Sequence, residues 1–448
     1  MNLLGQSFDA IKGKIFPREE SAWKEQAYAF LDEIESGQFP DSDDALAHML
    51  EYARTTIPYY QRLHETHPLT PASLEMVPPL TKELIRANYD ALKAPDIDAR
   101  LHWEHASGGS TGKPVKVIHD EHFAATCEAL SMFATRHCFG GPFTNQLVLW
   151  GSAEEVLEEQ PVPTLKSQIK DKLLLAMEKK TTTFNTFNFT PEKMVACVET
   201  LNRQKPEFIF GYAGSVYELA KYMQARGIKP ARAPQVALLT AQTCYPHMRE
   251  MIETVLGCQI CNHYGSREVG PVSWEACDGK TYHFDFIHLV EVVDDGNRRV
   301  PPGTEGRVLV STLHNFAMPL IRYDIGDRAI MGERATLAGR SLPTFEQIVG
   351  KTAEHFKTPD GTLVHGQFFI NLFYFRDWID AFQVVQKTTT SIDVLYTQNS
   401  DSNQADIKDI TVKIKHVMGA ECTVTWRPVE VIPKTAAGKQ FCIRSDLS

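Results

Sequence analysis

The stretch EFIFGYAGSVYELAKYMQARGIKPARAPQVALLT (207–240) decides the fold class of this chain. EFIFGY (207–212) and QVALLT (235–240) are short apolar runs of the kind that form buried strands. The segment SVYELAKYMQARG between them has apolar residues at helical spacing. Strand, helix and strand in this order predict an α/β fold with a largely parallel sheet.

The same alternation continues outward from this stretch. QLVLWG (146–151) predicts another buried strand, MVACVETLNRQ predicts a helix, and RVLVSTL (307–313) predicts a later strand. Residues 331–350 (MGERATLAGRSLPTFEQIVG) have no clear period, and we expect a connection there.

Two domains follow from these patterns. We expect a large N-terminal domain over residues 1–349, with residues 1–100 mainly helical and 101–349 α/β in layered sheets and helices. Residues 350–448 contain three strand-like runs and the helical NQADIKDITVKIKHVMG, which predict a small α+β C-terminal domain.

Composition narrows the functional classes. The chain has 448 residues, 43% of them hydrophobic, and its 46 Lys+Arg and 56 Asp+Glu give a net charge of −10. That balance disfavours nucleic-acid binding through phosphate neutralisation. No apolar run approaches the roughly 18 residues of a membrane span, and the beginning of the chain lacks a signal-peptide pattern. An odd set of nine cysteines is typical of reduced thiols. We therefore expect a cytoplasmic protein that is not membrane-bound, as a monomer or homodimer.

A glycine- and hydroxyl-rich loop is the first chemical signal. Ser107-Gly108-Gly109-Ser110-Thr111-Gly112-Lys113-Pro114 combines backbone N–H groups, hydroxyls and one cation, which suit phosphate oxygens. An ordinary surface turn is an equal alternative. A P-loop is disfavoured because Pro114 follows the lysine and VKVIHD alternates like a strand.

Three later segments add to this loop. They are CQICNHYGSREVGP (258–271), RYDIGDRA (322–329), and PKTAAGKQFCIR, which contains Lys439. Each alone is typical of an ordinary turn or a solvated charge. In this order the four segments resemble the motif series of the acyl-adenylate-forming (ANL) superfamily. The sequence most resembles the phenylacetate–CoA ligase-like branch of this superfamily, which includes the capsule-biosynthesis-type homologues.

The resemblance implies an ATP site. The loop residues would fold over the β- and γ-phosphates; they are Ser107, Gly108, Gly109, Ser110, Thr111, Gly112 and Lys113. The strand–turn segment would line the nucleotide, with Tyr264 against adenine, and it comprises Asn262, His263, Tyr264, Gly265 and Ser266. Ser266 stands where the family usually has Thr and would offer its hydroxyl to the α-phosphate.

The resemblance also assigns the charged residues. Glu268 would hold Mg²⁺, and Asp327 would accept hydrogen bonds from the ribose hydroxyls. The resemblance implies that the small C-terminal domain is mobile. Lys439 would reach in from this domain and bridge the substrate carboxylate and the α-phosphate, so Lys439 and Glu268 are the predicted catalytic residues. Coenzyme A is the acceptor that the family usually employs.

The acyl pocket is expected near family segments that line the substrate. Those segments correspond to Trp150, Phe187, Tyr212, Ala213, Ala241 and Gln242, with His263 at the border. Each of them is equally compatible with a plain core position. Their aromatic content favours a flat or aromatic acid.

Two departures from the family pattern stand out. The hinge reads Gly350-Lys351-Thr352-Ala353-Glu354 instead of G-R-x-D-D, so Lys351 would contact ribose without the planar fork of Arg. Cys277 and His283 match half of a zinc site found in relatives, but the later cysteine pair is missing. Two ligands do not complete a tetrahedral site, so we predict no structural zinc.

The leading hypothesis is ATP- and Mg²⁺-dependent activation of a small carboxylic acid as acyl-AMP, followed by transfer to the thiol of coenzyme A. The alternative acceptor is an acyl carrier protein thiol or an amine in a biosynthetic pathway. An alternative of another class is a nucleotide-binding homologue without catalysis, which the retained Glu268, Asp327 and Lys439 disfavour.

Overall fold

A computed structural model describes most of the chain. The described residues are 22–107, 115–151, 180–349, 355–373, 376, 378–398, 403–432 and 442–447. They form two compact units, each built from separate stretches of the chain. The first unit contains residues 22–107, 115–142 and 261–349, and the second contains the described residues of 143–260 and of 351–448.

The α-helices are, in chain order, α1 (Ala22–Glu35), α2 (Ser42–Thr56), α3 (Pro58–Thr66), α4 (Lys82–Ala87), α5 (Glu121–His137), α6 (Pro191–Gln204), α7 (Ala213–Ala225), α8 (Pro246–Leu256), α9 (Gly366–Leu372) and α10 (Gln404–Met418). Short 3₁₀ helices span Pro71–Met76, Asp90–Leu92 and Ile97–Ala99. Residues 22–100 are therefore mainly helical, as the sequence predicts.

The strands are β1 (His102–Ser107), β2 (Val115–Asp120), β3 (Asn145–Trp150), β4 (Lys180–Asn185), β5 (Phe208–Tyr212), β6 (Val236–Thr240), β7 (Gln259–Ser266), β8 (Gly270–Glu275), β9 (Thr281–His283), β10 (His288–Val293), β11 (Glu305–Thr312), β12 (Tyr323–Leu337), β13 (Arg340–Val349), β14 (His355–Lys357), β15 (Leu363–His365), β16 (Ile379–Thr388), β17 (Ser391–Gln398), β18 (Thr423–Pro428) and β19 (Ile443–Ser445).

The first unit is built on an antiparallel sheet in the order β10-β11-β12-β13-β9-β8-β7. The N-terminal helical region contributes Leu50 and Tyr60 from α2 and α3, and Ile57 from between them, to the core that this sheet covers. The Tyr60 hydroxyl donates to the Pro319 carbonyl at 3.0 Å, and this satisfies its one polar atom inside an apolar core. β1 and β2 form a separate antiparallel pair.

The connection expected over residues 331–350 is wrong. The described part of this segment belongs to β12 and β13, which pair as a long hairpin with Leu337 opposite Arg340. The two turn residues, Ala338 and Gly339, have φ of 49° and 79°, as a two-residue hairpin turn requires. Many of the hairpin's side chains are exposed or half-buried, so the apolar alternation that marks a strand is weak.

The second unit contains the parallel sheet that residues 207–240 predict. Its order is β4-β3-β5-β6, and every neighbouring pair is parallel. All residues of β5 and β6 are buried, which explains their continuous apolar runs. α6, α7 and α8 pack against this sheet through a shared apolar core. The predicted α/β class is confirmed.

The C-terminal part of the second unit has its own sheet. The order is β18-β17-β16-β19, with an antiparallel central pair and parallel outer pairs. α10 contributes Ile410 and Ile414 to the core beside Val384 and Val394 of the sheet. The strands and the helix predicted for this part of the chain are therefore present. No helix in the described ranges is both long and apolar enough to cross a bilayer.

Candidate active site

The predicted phosphate loop connects two paired strands. β1 ends at Ser107 and β2 begins at Val115, and these two residues are partners in the antiparallel register. The loop therefore joins strand to strand, as the sequence predicts. Gly108 to Lys113, Lys351 and Lys439 lie outside the described residues, and their roles stay predictions.

The first unit brings Tyr264 and Asp327 into contact. Tyr264 lies on β7 and Asp327 on β12, 63 residues later, and the Tyr264 hydroxyl donates to Asp327 Oδ2 at 3.1 Å. Burial and the Asp327 carboxylate hold the pKa of Tyr264 well above its usual range. The phenol therefore remains a hydrogen-bond donor at neutral pH. The residues assigned to adenine and ribose are thus direct neighbours.

Glu268 lies in the turn between β7 and β8 and is almost fully buried, with 3% of its surface exposed. Its Oε1 accepts a hydrogen bond from the Tyr323 hydroxyl at 3.0 Å and lies 3.6 Å from Lys82 Nζ. Its backbone carbonyl lies 3.0 Å from Nε2 of His119. A buried carboxylate needs such partners, because an isolated buried charge is costly.

The β7–β8 turn is fixed by its own residues. Ser266 Oγ accepts hydrogen bonds from the backbone N–H of Glu268 at 3.2 Å and of Val269 at 3.4 Å. A Cβ at Gly265 would lie 2.5 Å from the Gly270 carbonyl oxygen, so only glycine fits there. The turn therefore presents Glu268 in one place.

The remaining residues of the β7 motif have local partners. Asn262 Nδ2 donates to Glu275 Oε2 at 2.5 Å. The His263 ring packs against Trp274, with ring centroids 5.0 Å apart. Burial lowers the pKa of His263 to about 4, so this imidazole is neutral at physiological pH.

A magnesium ion suits this arrangement. The described residues contain no cluster of three or more His, Cys, Asp or Glu side chains that could hold a metal alone. Mg²⁺ does not need one, since one or two carboxylates suffice when phosphates and waters complete its octahedron. Glu268 offers one buried and anchored carboxylate, and its role as a magnesium ligand stays a prediction.

The half zinc motif makes other contacts. Cys277 Sγ lies 3.9 Å from Cys261 Sγ. The two ring nitrogens of His283 lie 3.1 and 2.9 Å from the carbonyl oxygens of Val272 and His288. His283 is thus engaged by backbone on both sides. The expectation that the chain holds no structural zinc stays a prediction.

The residues predicted to line an acyl pocket meet in the second unit, except His263, which belongs to the first. Trp150 stacks between Phe210 and Tyr212, with ring centroids 5.2 and 4.4 Å away. Phe187 lies nearly parallel to Tyr212 at 5.9 Å. These stacked aromatic rings fit both interpretations of the residues, as the lining of a substrate pocket and as part of the hydrophobic core.

A second group of predicted pocket residues begins directly after Tyr212. Ala213 is buried at the start of α7, and the next N–H, of Gly214, donates to Gln242 Oε1 at 2.9 Å. Ala241 is exposed, with φ of 64°. A Cβ at Gly214 would lie 2.6 Å from Cε1 of His355 and 2.7 Å from Gln242 Oε1. The Gly214 backbone is therefore packed directly against both side chains.

Sequence reasoning missed four residues at these two clusters. Lys82 and His119 contact Glu268, while His355 and His365 pack beside Tyr212 and Gly214. The His365 ring lies 4.4 Å from that of Tyr212 and 4.7 Å from that of His355. No spacing rule marks these residues.

The chain is similar in sequence to known proteins. Residues 356–446 match the family model described as CapK C-terminal domain. The chain is 28% identical to the phenylacetate-coenzyme A ligase of Thermus thermophilus over 338 residues, 69% of each chain. It is 21% identical to protein CapK of Staphylococcus aureus over 446 residues, covering 96% of this chain and 94% of CapK.

Solved structures give the same fold. A crystal structure of 2-hydroxyisobutyryl-CoA ligase in the postadenylation state, in complex with R3-HIB-AMP, matches with a TM-score of 0.56 at 16% identity. It covers 92% of this chain and 90% of that one. The thioesterification-state structure of that ligase, with 2-HIB-AMP and CoA, matches equally well, at 17% identity over 90% of both chains. The chain is thus similar in sequence to phenylacetate-coenzyme A ligases and to CapK, and it has the fold of 2-hydroxyisobutyryl-CoA ligase.

Proposed function

We propose that this protein activates a small carboxylic acid with ATP, forming an acyl-adenylate, and then transfers the acyl group to the thiol of coenzyme A. The similarity to phenylacetate-coenzyme A ligases over two thirds of the chain supports this reaction class. The observation that carries it is the hydrogen bond between Tyr264 and Asp327. Glu268 belongs to the same sequence motif as Tyr264, and all three residues lie in the first unit. These are the positions expected for base, ribose and metal.

The first half-reaction needs charge compensation more than a base. The substrate carboxylate is already ionised at neutral pH. One of its oxygens attacks the α-phosphorus of ATP, a new P–O bond forms, and the bond to the β-phosphate breaks to release pyrophosphate. Two anions approach each other in this step, so positioned positive charge lowers the barrier.

The chain's own residues would supply that positioning. Tyr264 offers a flat ring to adenine, and Asp327 accepts from the ribose hydroxyls. Glu268 would hold Mg²⁺, which supplies Lewis-acid stabilisation of phosphate charge when bound. The loop from Ser107 to Lys113 would cover the outer phosphates, and Lys439 would bridge the carboxylate and the α-phosphate.

In the second half-reaction the thiol sulfur attacks the acyl carbonyl. A C–S bond forms, the C–O bond to AMP breaks, AMP leaves, and the thiol proton passes to solvent. The hinge sequence at Lys351 and Ala353 departs from the family pattern. A carrier-protein thiol or an amine is the second candidate, and that hinge is the observation that favours it.

Isotope exchange separates these functions. Pyrophosphate label should enter ATP only when a suitable acid from a panel of aromatic and aliphatic carboxylates is present, and coenzyme A should then give a thioester. Exchange without thioester formation would move the proposal to the carrier-protein or amine acceptor. Absence of exchange with every acid would contradict adenylation.

A further inference from the structure

Lys82 lies beside the carboxylate that would hold the metal, and no motif assigns it a role. Its Nζ is 3.6 Å from Glu268 Oε1, and its side chain is only 12% exposed. The Tyr323 hydroxyl reaches the same oxygen at 3.0 Å. Holding an ammonium group where it has so little contact with water costs side-chain entropy and hydration free energy. The position of this group therefore needs an explanation.

Backbone hydrogen bonds fix the segment that carries Lys82. The Leu80 N–H donates to the Arg322 carbonyl, and the Asp324 N–H donates to the Leu80 carbonyl, both at 3.0 Å. Leu80 is buried in the core of the first unit. Lys82 therefore begins α4 two residues after a bridge to the YDIGD segment, which also carries Asp327.

Thr81 fixes the direction of the chain at this point. Its Oγ1 accepts from the Leu84 N–H at 3.3 Å and caps α4, so Lys82 is the first residue of the helix. The Lys82 stem leaves from an anchored backbone towards Glu268. Its placement is thus a property of the fold of the first unit and not of a freely moving surface side chain.

Charge balance suggests what this lysine does. The chain carries a net charge of −10, so long-range attraction does not bring an anionic nucleotide to it. Glu268 adds a further negative charge where phosphates are expected. Lys82 neutralises that carboxylate in the nucleotide-free protein. Once Glu268 has a divalent cation as its partner, the ammonium group has phosphate oxygens within the same site as alternative partners.

We propose that Lys82 is a phosphate-binding residue of the nucleotide site, held in place by Glu268 until ATP and the metal bind. The inference rests on the proposed function and extends it, because it adds a fixed cation from the N-terminal helical region to the predicted phosphate loop and Lys439. Lys82 binds the triphosphate and makes no contact with adenosine.

Calorimetric titration of the full-length protein tests this without turnover. ATP with Mg²⁺, in the absence of any acid, and adenosine alone are titrated into the wild type and into Lys82→Met and Lys82→Arg. We expect Lys82→Met to bind ATP at least tenfold more weakly and to bind adenosine within twofold of the wild type. Lys82→Arg keeps the charge and should recover most of the ATP affinity.

A matched control comes from the same region. Lys93 pairs with Asp90 at 2.9 Å and lies over the Tyr89 ring, so Lys93→Met also removes one lysine charge and one ion pair. It should leave the affinity for ATP unchanged. Thermal unfolding of each variant shows whether it is folded, and Lys82→Gln replaces Lys82→Met if the latter is not.

Three results would overturn the inference. The first is that the folded Lys82 variant binds ATP with an affinity within twofold of the wild type. The second is that the variant loses affinity for ATP and for adenosine by the same factor. A wild type that binds neither ligand would overturn the inference together with the proposed function. The first two results, obtained with a wild type that binds ATP, leave the proposed function standing.

Discussion

Glu268 connects segments that are far apart in the sequence. Tyr323 and His119, which contact it, lie 55 and 149 residues away, and Lys82 lies still farther. The sequence alone predicted Glu268 from its motif, because the motif is local. It could not predict Lys82 or His119, because no periodicity or spacing relates residues that only the folded sheet brings together.

Replacing Glu268 with Gln tests this residue directly. The amide keeps the size of the side chain but is a weak metal ligand and leaves the Lys82 ammonium without its anionic partner. We expect Glu268→Gln to lower acid-dependent ATP–pyrophosphate exchange by at least about 100-fold, the scale of removing one transition-state charge contact. Manganese binding in the presence of ATP, followed by electron paramagnetic resonance, should weaken in parallel.

Glu305→Gln is the control for that measurement. Glu305 pairs with Arg328 at the surface, where both side chains are about half exposed. An exchange rate within threefold of the wild type is expected for this variant. The same small effect in Glu268→Gln would remove Glu268 from the metal site.

At the scale of elements, strands buried on both faces were the easiest to predict. β5 and β6 carry unbroken apolar runs because every residue of the two strands is buried, so both of their faces are covered. β12 and β13 were missed because their hairpin is largely half-exposed and rich in charge. The residues beside Tyr212 show a second limit, since β14 and β15 bring His355 and His365 from beyond the expected domain boundary.

The start of α7 provides an element-scale prediction. Gly214→Ala places a methyl group 2.6 Å from the His355 ring and 2.7 Å from Gln242 Oε1. Overpacking of this kind costs about 1–3 kcal/mol, so the free energy of unfolding in urea should fall by that amount. Lys221→Ala, on the exposed face of the same helix, should change it by less than about 0.5 kcal/mol. Equal stability of Gly214→Ala and wild type would mean that the three groups are not packed together.

At the scale of the whole molecule, histidines with lowered pKa values make stability depend on pH, and four of them are His263, His288, His314 and His355. Burial lowers the pKa of His263, His314 and His355 to about 4 and that of His288 to about 3. They stay neutral in the fold, whereas in the unfolded chain they take up protons below about pH 6.5. The unfolded state therefore binds more protons between pH 6.5 and 4, and stability is lost as the pH falls through that window.

Between about pH 6.5 and its pKa in the folded protein, each such histidine lowers the free energy of unfolding by about 1.4 kcal/mol for every unit by which the pH falls. Urea denaturation at pH 7.5, 6.0 and 5.0 should show the decline. The slope should be smaller in His355→Phe, which removes one of these groups. A stability that is flat from pH 7 to 5 would contradict the assignment of neutral buried imidazoles.

The most direct test of adenylation follows an oxygen atom. An acid that supports exchange is labelled with ¹⁸O in both carboxylate oxygens, and the protein turns it over with ATP and the thiol acceptor. The account predicts that AMP, analysed by mass spectrometry, carries one ¹⁸O, because the bridging oxygen stays with phosphorus when the acyl group departs. Unlabelled AMP, or ADP and phosphate as the products, would contradict it.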